Sequence, residues 1–231
     1  MENIGQIFWR NRYYFIGFIF FFLAGFFFLL YASKAGSFLY LNAYHTQMLN
    51  TFFIGYTNLG DGLFTIAIVL FLLATKRYEI AWQLLAAFVI SGLIAQIFKY
   101  AVYSPRPKEF FSQKEHIYLI VGITNTGTSS FPSGHTASIF ALVTILALFT
   151  KNKKICFFYL IAAILVAYSR IYLSQHFLSD VLAGALIGVS VAMFVYYLFN
   201  TNPGIRKIKI ASIRRKRKIE KQEMQPSVLE T

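Results

Sequence analysis

The feature that most constrains this chain is its division into long apolar runs joined by shorter polar links. Six stretches, at about residues 13–31, 63–74, 80–101, 133–149, 155–167 and 177–199, are apolar enough to consider as membrane spans. Crossing the hydrocarbon of a bilayer takes roughly 17–25 such residues in a helix. Only 13% of the residues are charged, against about 25% in soluble chains. A water-soluble helical protein would also need polar outer faces, which these segments lack. The reading is an all-α integral membrane domain, a six-transmembrane-helix bundle.

Charge placement orients the bundle. The net charge of +13 is large enough to suggest nucleic acid, but nine of the 22 basic residues fall between Arg206 and Lys221, just past the last apolar run. Positive charge collects there on a cytoplasmic membrane flank. Six spans place both termini on one face with the turns at 76–77 and 151–154; that face holds sixteen basic residues and the other six. Both termini are therefore expected in the cytoplasm of a multi-pass inner-membrane protein, with no nucleic-acid partner. Residues 1–200 read as the membrane domain and 201–231 as a basic tail. The lone Cys156 excludes an internal disulfide and a thiolate metal site.

The links on the far face carry the chemistry. Residues 32–57 have helical apolar spacing and read as an amphipathic helix on that surface, with His45 interfacial. Asp61 suits the N-cap of the second span. The long connection 102–131 is of a length that is often functional. It and the amphipathic helix are expected to lie over a site built from three stretches. In the first, Lys99 ends the third span and Arg106 stands between two prolines. In the second, Pro132-Ser133-Gly134-His135 opens the fourth span. A helix start with unpaired N–H groups binds phosphate, and Gly134 allows close approach. In the third, Ser169–Asp180, Arg170 offers a planar cation. If its second half is helical, His176 and Asp180 lie one turn apart and the carboxylate can accept the imidazole N–H.

Three cations, two histidines and an orienting carboxylate on one membrane face are what phosphoryl transfer requires. The residues alone leave open which histidine attacks; the spacing of His176 from Asp180 only tilts that choice. A metal hydrolase using His135, His176 and Asp180 as ligands is disfavoured, because the neighbouring cations would repel the ion.

Lys99 with Arg106-Pro107, Pro132–His135, and Ser169-Arg170 with His176 and Asp180 together match K-x6-R-P, P-S-G-H and S-R-x5-H-x3-D, intact and in order. In these motifs the chain resembles the type 2 phosphatidic acid phosphatase (PAP2) superfamily in its membrane-integral bacterial form. That superfamily is similar in its site to vanadium haloperoxidases and bacterial acid phosphatases. The resemblance implies that His176 attacks phosphorus, Asp180 orients it, and His135 protonates the leaving oxygen. It implies that Lys99, Arg106, Ser133, Gly134 and Arg170 hold the phosphate, with no metal or other cofactor. The substrate so implied is a membrane lipid phosphate: phosphatidylglycerophosphate, undecaprenyl pyrophosphate, phosphatidate or a lipid A phosphate. A lipid phosphotransferase and a lipid-phosphate carrier are the alternatives.

Overall fold

The computed structural model describes residues 4–112, 117–120 and 129–201. The basic tail beyond Thr201, and Lys114, Glu115 and His116 of the long connection, lie outside the described residues. Among the described residues nine α-helices follow one another: α1 (Ile4–Arg10), α2 (Arg12–Leu41), α3 (Gln47–Tyr56), α4 (Gly62–Ala74), α5 (Tyr78–Ala101), α6 (Pro107–Phe111), α7 (Gly134–Phe149), α8 (Lys153–Tyr172) and α9 (Leu178–Thr201). A 3-10 turn, Thr57–Gly60, joins α3 to α4. No strand occurs among the described residues.

Four helices, α2, α5, α8 and α9, are each long and apolar enough to cross a membrane, and α3 with α4 forms a further candidate bent by 55°. Helix α7 is apolar but shorter, at 16 residues, or about 24 Å. Large apolar side chains face outward along the long helices, among them Phe20 at 76% exposure and Phe158 at 68%. Apolar surface on that scale is stable against lipid and not against water.

Two expectations are corrected here. The first apolar helix does not stop near residue 31. It continues as α2 to Leu41 across a break at Ser33, whose φ of 63° lies in the left-handed region. The amphipathic stretch is thus split, its first part joined to α2 and its second forming α3. The second span is also not a lone straight helix, because Asp61 accepts the Leu63 N–H and starts α4 at a new angle.

Helix α7 is the axis of the bundle. It is buried along most of its length and packs chiefly on α9, with α5 and α8 on other sides. Two glycines in α9 bring the two backbones together. A β-carbon at Gly184 would lie 2.5 Å from the Ser133 carbonyl oxygen, and one at Gly188 would lie 2.5 Å from that of Ala137. Small residues spaced four apart allow such approach in membranes, where van der Waals contact drives helix association.

Alternation of helix direction sorts the polar ends. Arg10 donates to the Leu148 carbonyl and the Tyr196 hydroxyl, and Lys153 lies over the Tyr13 ring, so these cations share the end formed by the close of α7 and the start of α8. Lys99, the Ser133–His135 stretch, Arg170 and Asp180 fall at the other end.

Gly188→Ala isolates the close approach. Alanine is the better helix former by about 1 kcal/mol, yet overpacking against α7 costs ~1–3 kcal/mol. A lower Tm in detergent is expected; an unchanged or raised Tm contradicts the contact.

Candidate active site

Helix α8 ends in a turn that places His176. Ser174 has φ 55°, and its N–H donates to the Ile171 carbonyl while the Gln175 N–H donates to that of Arg170. This is the Schellman pattern, which caps a helix with one left-handed residue. The Arg170 carbonyl also accepts the His176 N–H at 3.2 Å. The five-residue gap between Arg170 and His176 is the length of this turn. The Asn42 side-chain amide holds it from outside, donating to the Ile171 and Tyr172 carbonyls at 2.9 Å each.

His176 itself lies in the link between α8 and α9, and α9 begins only at Leu178. The expected one-turn helical pairing with Asp180 is therefore corrected. Asp180 sits in the first turn of α9, where Oδ2 accepts the Phe177 N–H at 2.9 Å, much as an acidic residue reaches back to cap a helix start. Its Oδ2 is 3.6 Å from His176 Nδ1, beyond hydrogen-bond range. Ser130 bridges the gap: its Oγ is 2.6 Å from Asp180 Oδ2 and 3.3 Å from His176 Nδ1. The hydroxyl has one proton, and the shorter contact takes it to the carboxylate, so Oγ accepts the Nδ1–H. The network leaves Nε2 with its lone pair free.

The second stretch is set by capping. Ser133 Oγ accepts the Thr136 N–H as the N-cap of α7 and also accepts the Thr136 hydroxyl at 2.8 Å. The Ser133 N–H donates to the Asp180 carbonyl at 2.9 Å, which joins the two helix starts. A β-carbon at Gly134 would lie 3.9 Å from Lys99 Nζ, so the ammonium stands beside the opening of α7. The backbone of the first stretch is tied in as well, since the Ser104 carbonyl accepts the Ser130 N–H at 2.8 Å.

The guanidinium groups are buried and anchored. Arg106 donates from Nη1 to the Gln175 carbonyl and to its side-chain oxygen, at 3.3 and 3.2 Å. Arg170 donates from Nη1 to Thr57 Oγ1 at 2.7 Å, while its buried Nε–H makes no hydrogen bond among the described residues. Thus Lys99, Arg106, Ser133, Gly134, His135, Arg170, His176 and Asp180 all gather at one end of the bundle. No group of three or more His, Cys, Asp and Glu side chains among the described residues is placed to hold a metal ion.

Four contributors were not read from the sequence. Ser130 and Gln175 adjoin the motifs, and the hydroxyl run before Pro132 was an available signal for Ser130. Thr57 and the facing of Asp61 Oδ2 to His135 Nε2, at 3.9 Å, come from a turn distant in sequence. His45 stands apart from this cluster, stacked between Tyr118 and Tyr172 with ring centroids 4.1 and 4.2 Å away.

The fold and site define a helical bundle of membrane character, with cations and histidines massed at one end. The PAP2 superfamily matches residues 80–203, which include all three motifs, and the chain belongs to that superfamily. Lipid phosphate phosphatase 1 of Arabidopsis thaliana is 37% identical over 145 residues, covering 52% of this chain and 44% of that protein. This chain therefore spans less than half of that relative's length. Undecaprenyl-diphosphatase of Sulfolobus acidocaldarius is 30% identical over 170 residues, covering 73% of this chain and 79% of that protein. The crystal structure of Aquifex aeolicus LpxE matches with a TM-score of 0.61 at 28% identity, over 69% of this chain and 92% of that one.

Burial holds the His176 imidazole down from 6.5 to about 4, against the Asp180 carboxylate, which pulls the other way. For a nucleophilic His176 the neutral ring is the reactive form, and protonation would remove activity. With a depressed value, kcat/KM, which reports the free enzyme, is expected to hold on the acid side until the pH nears about 4. A loss of kcat/KM centred near the ordinary histidine value contradicts this environment.

Proposed function

We propose that the chain is a metal-independent lipid phosphatase working through a phosphohistidine at His176. The observation that carries this reading is the gathering of Lys99, Arg106 and Arg170 around His176 and Asp180, with His176 Nδ1 engaged by Ser130. His176 Nε2 attacks phosphorus, and the P–O bond to the lipid alcohol breaks as the P–N bond forms. His135 gives its proton to the leaving oxygen. It then takes a proton from water, whose oxygen attacks phosphorus; the P–N bond breaks and inorganic phosphate leaves. Lys99, Arg106, Arg170, the Ser133 hydroxyl and the Gly134 N–H offset the charge on the equatorial oxygens, where pre-set donors lower the barrier most. Asp180, through Ser130, fixes the tautomer of His176.

The substrate class is a lipid phosphate monoester or diphosphate. A site at the end of a bundle whose outer surface is apolar meets a head group at the membrane surface. In this reading α2, α3–α4, α5, α7, α8 and α9 form six spans. The sixteen basic residues of the opposite end lie in the cytoplasm, and the site faces outward. Residues 1–200 are the catalytic unit, and the basic tail adds affinity for anionic lipid.

Purified protein in detergent, given a panel of lipid phosphates and diphosphates with chelator present, is expected to release inorganic phosphate. His176→Ala is expected to remove turnover by about 10⁴-fold or more while remaining folded. Chelator-sensitive release, or near-normal turnover in the variant, contradicts the mechanism. Transfer of phosphate only to an added acceptor reassigns the enzyme as a phosphotransferase.

A further inference from the structure

We propose that Asp61 is the positioning residue for the proton that His135 delivers. The inference rests on the reading of His135 as proton donor and goes beyond it by naming the group that controls its far nitrogen. The 3-10 turn Thr57–Gly60 presses on the start of α7. A β-carbon at Gly60 would lie 3.1 Å from both the β-carbon and the carbonyl oxygen of His135, and 2.7 Å from a methyl of Val166. A larger residue there would push the turn away, and with it the next residue.

That next residue is a carboxylate aimed by its cap. Asp61 Oδ1 accepts the Leu63 N–H at 2.8 Å, which fixes the carboxylate plane at the head of α4. Its Oδ2 faces His135 Nε2 at 3.9 Å, and contacts of this kind commonly tighten once substrate is bound. A carboxylate on Nε2 selects the ring orientation that presents Nδ1 to the leaving oxygen, because the partner of one imidazole nitrogen sets the role of the other. Arg170, His176, Lys99 and Arg106, all cationic or basic, act on the buried His135 ring. Among the described residues, Asp61 is the carboxylate within ion-pair distance of His135. It is therefore placed to offset the charge of a protonated ring amid those cations. Asp61 also acts on Arg170, whose guanidinium is bound by Thr57 of the same turn. A role through phosphate binding is thus the competing explanation, and the two differ in what they do to the leaving group.

The test compares Asp61→Asn and Asp61→Ser, both of which retain N-capping ability, on two soluble substrates. One is a short-chain phosphatidate, whose alkoxide needs a proton to leave. The other is p-nitrophenyl phosphate, whose phenolate leaves without one. The readout is kcat/KM, which reports steps through loss of the alcohol. Loss of proton delivery is expected to lower kcat/KM for the phosphatidate by about 10- to 100-fold, and for the nitrophenyl ester by less than about threefold. Equal losses on both substrates overturn the proposal in favour of a role through Arg170 or folding, and no loss on either overturns it outright. His135→Gln separates the two layers. It is expected to show the same leaving-group dependence; if it loses both substrates equally, the donor assignment itself fails. If His135→Gln discriminates and the Asp61 variants do not, the donor stands and only the role of Asp61 falls.

Discussion

The hydrogen bond from the Ser133 N–H to the Asp180 carbonyl is the contact on which the rest of the site depends. It joins the starts of α7 and α9, which belong to different motifs and are separated by the whole of α8. It forms because α9 presents Gly184 and Gly188 to the α7 backbone, where any side chain would collide with a carbonyl oxygen. The α7–α9 seam therefore sets the distance between the start of α7 and the link that carries His176. The Schellman turn at the end of α8 does the complementary job, fixing His176 relative to Arg170 through one carbonyl. Backbone geometry places both histidines, and the Ser130 hydroxyl then orients His176.

Burying this much charge would be costly without partners. Arg106 is anchored on the Gln175 side-chain oxygen and Arg170 on the Thr57 hydroxyl. Asp180 is fully buried but accepts from Ser130, Ser179 and the Phe177 N–H. Lys99, Arg106 and Arg170 gather beside the Asp180 carboxylate, and cations massed in this way attract anionic ligands.

Much of this was legible in the sequence, for identifiable reasons. The apolar runs declared the helices, and residues such as Lys99, Arg106 and Arg170 stood out because charge is expensive beside them. Motif order marked eight candidate residues, and the fold brings them to one end of the bundle. The misses are equally physical. The break at Ser33 depends on one backbone dihedral that hydropathy does not register. The pairing of His176 with Asp180 through Ser130, rather than directly along a helix, depends on where α9 starts, and a spacing of four residues reads the same either way. Thr57 and Asp61 join the site by tertiary packing of a turn more than seventy residues from His135, and no local pattern encodes that contact. Parts of the long connection, 113–116 and 121–128, and the tail beyond Thr201, which the sequence marked as the loop over the site and the basic flank, fall outside the described residues.

The central claim is that His176 carries the phosphoryl group and His135 moves the protons. The most direct measurement is a rapid-quench trap of His135→Gln with radiolabelled p-nitrophenyl phosphate, followed by peptide mapping under alkaline conditions that preserve phosphohistidine. Loss of the phenolate needs no proton, whereas hydrolysis of the intermediate needs a base. The account therefore expects an acid-labile, base-stable label to accumulate on His176 in this variant and to be absent from His135→Gln/His176→Ala. A label on any other residue, or stoichiometric nitrophenol release with no labelled protein, would contradict it.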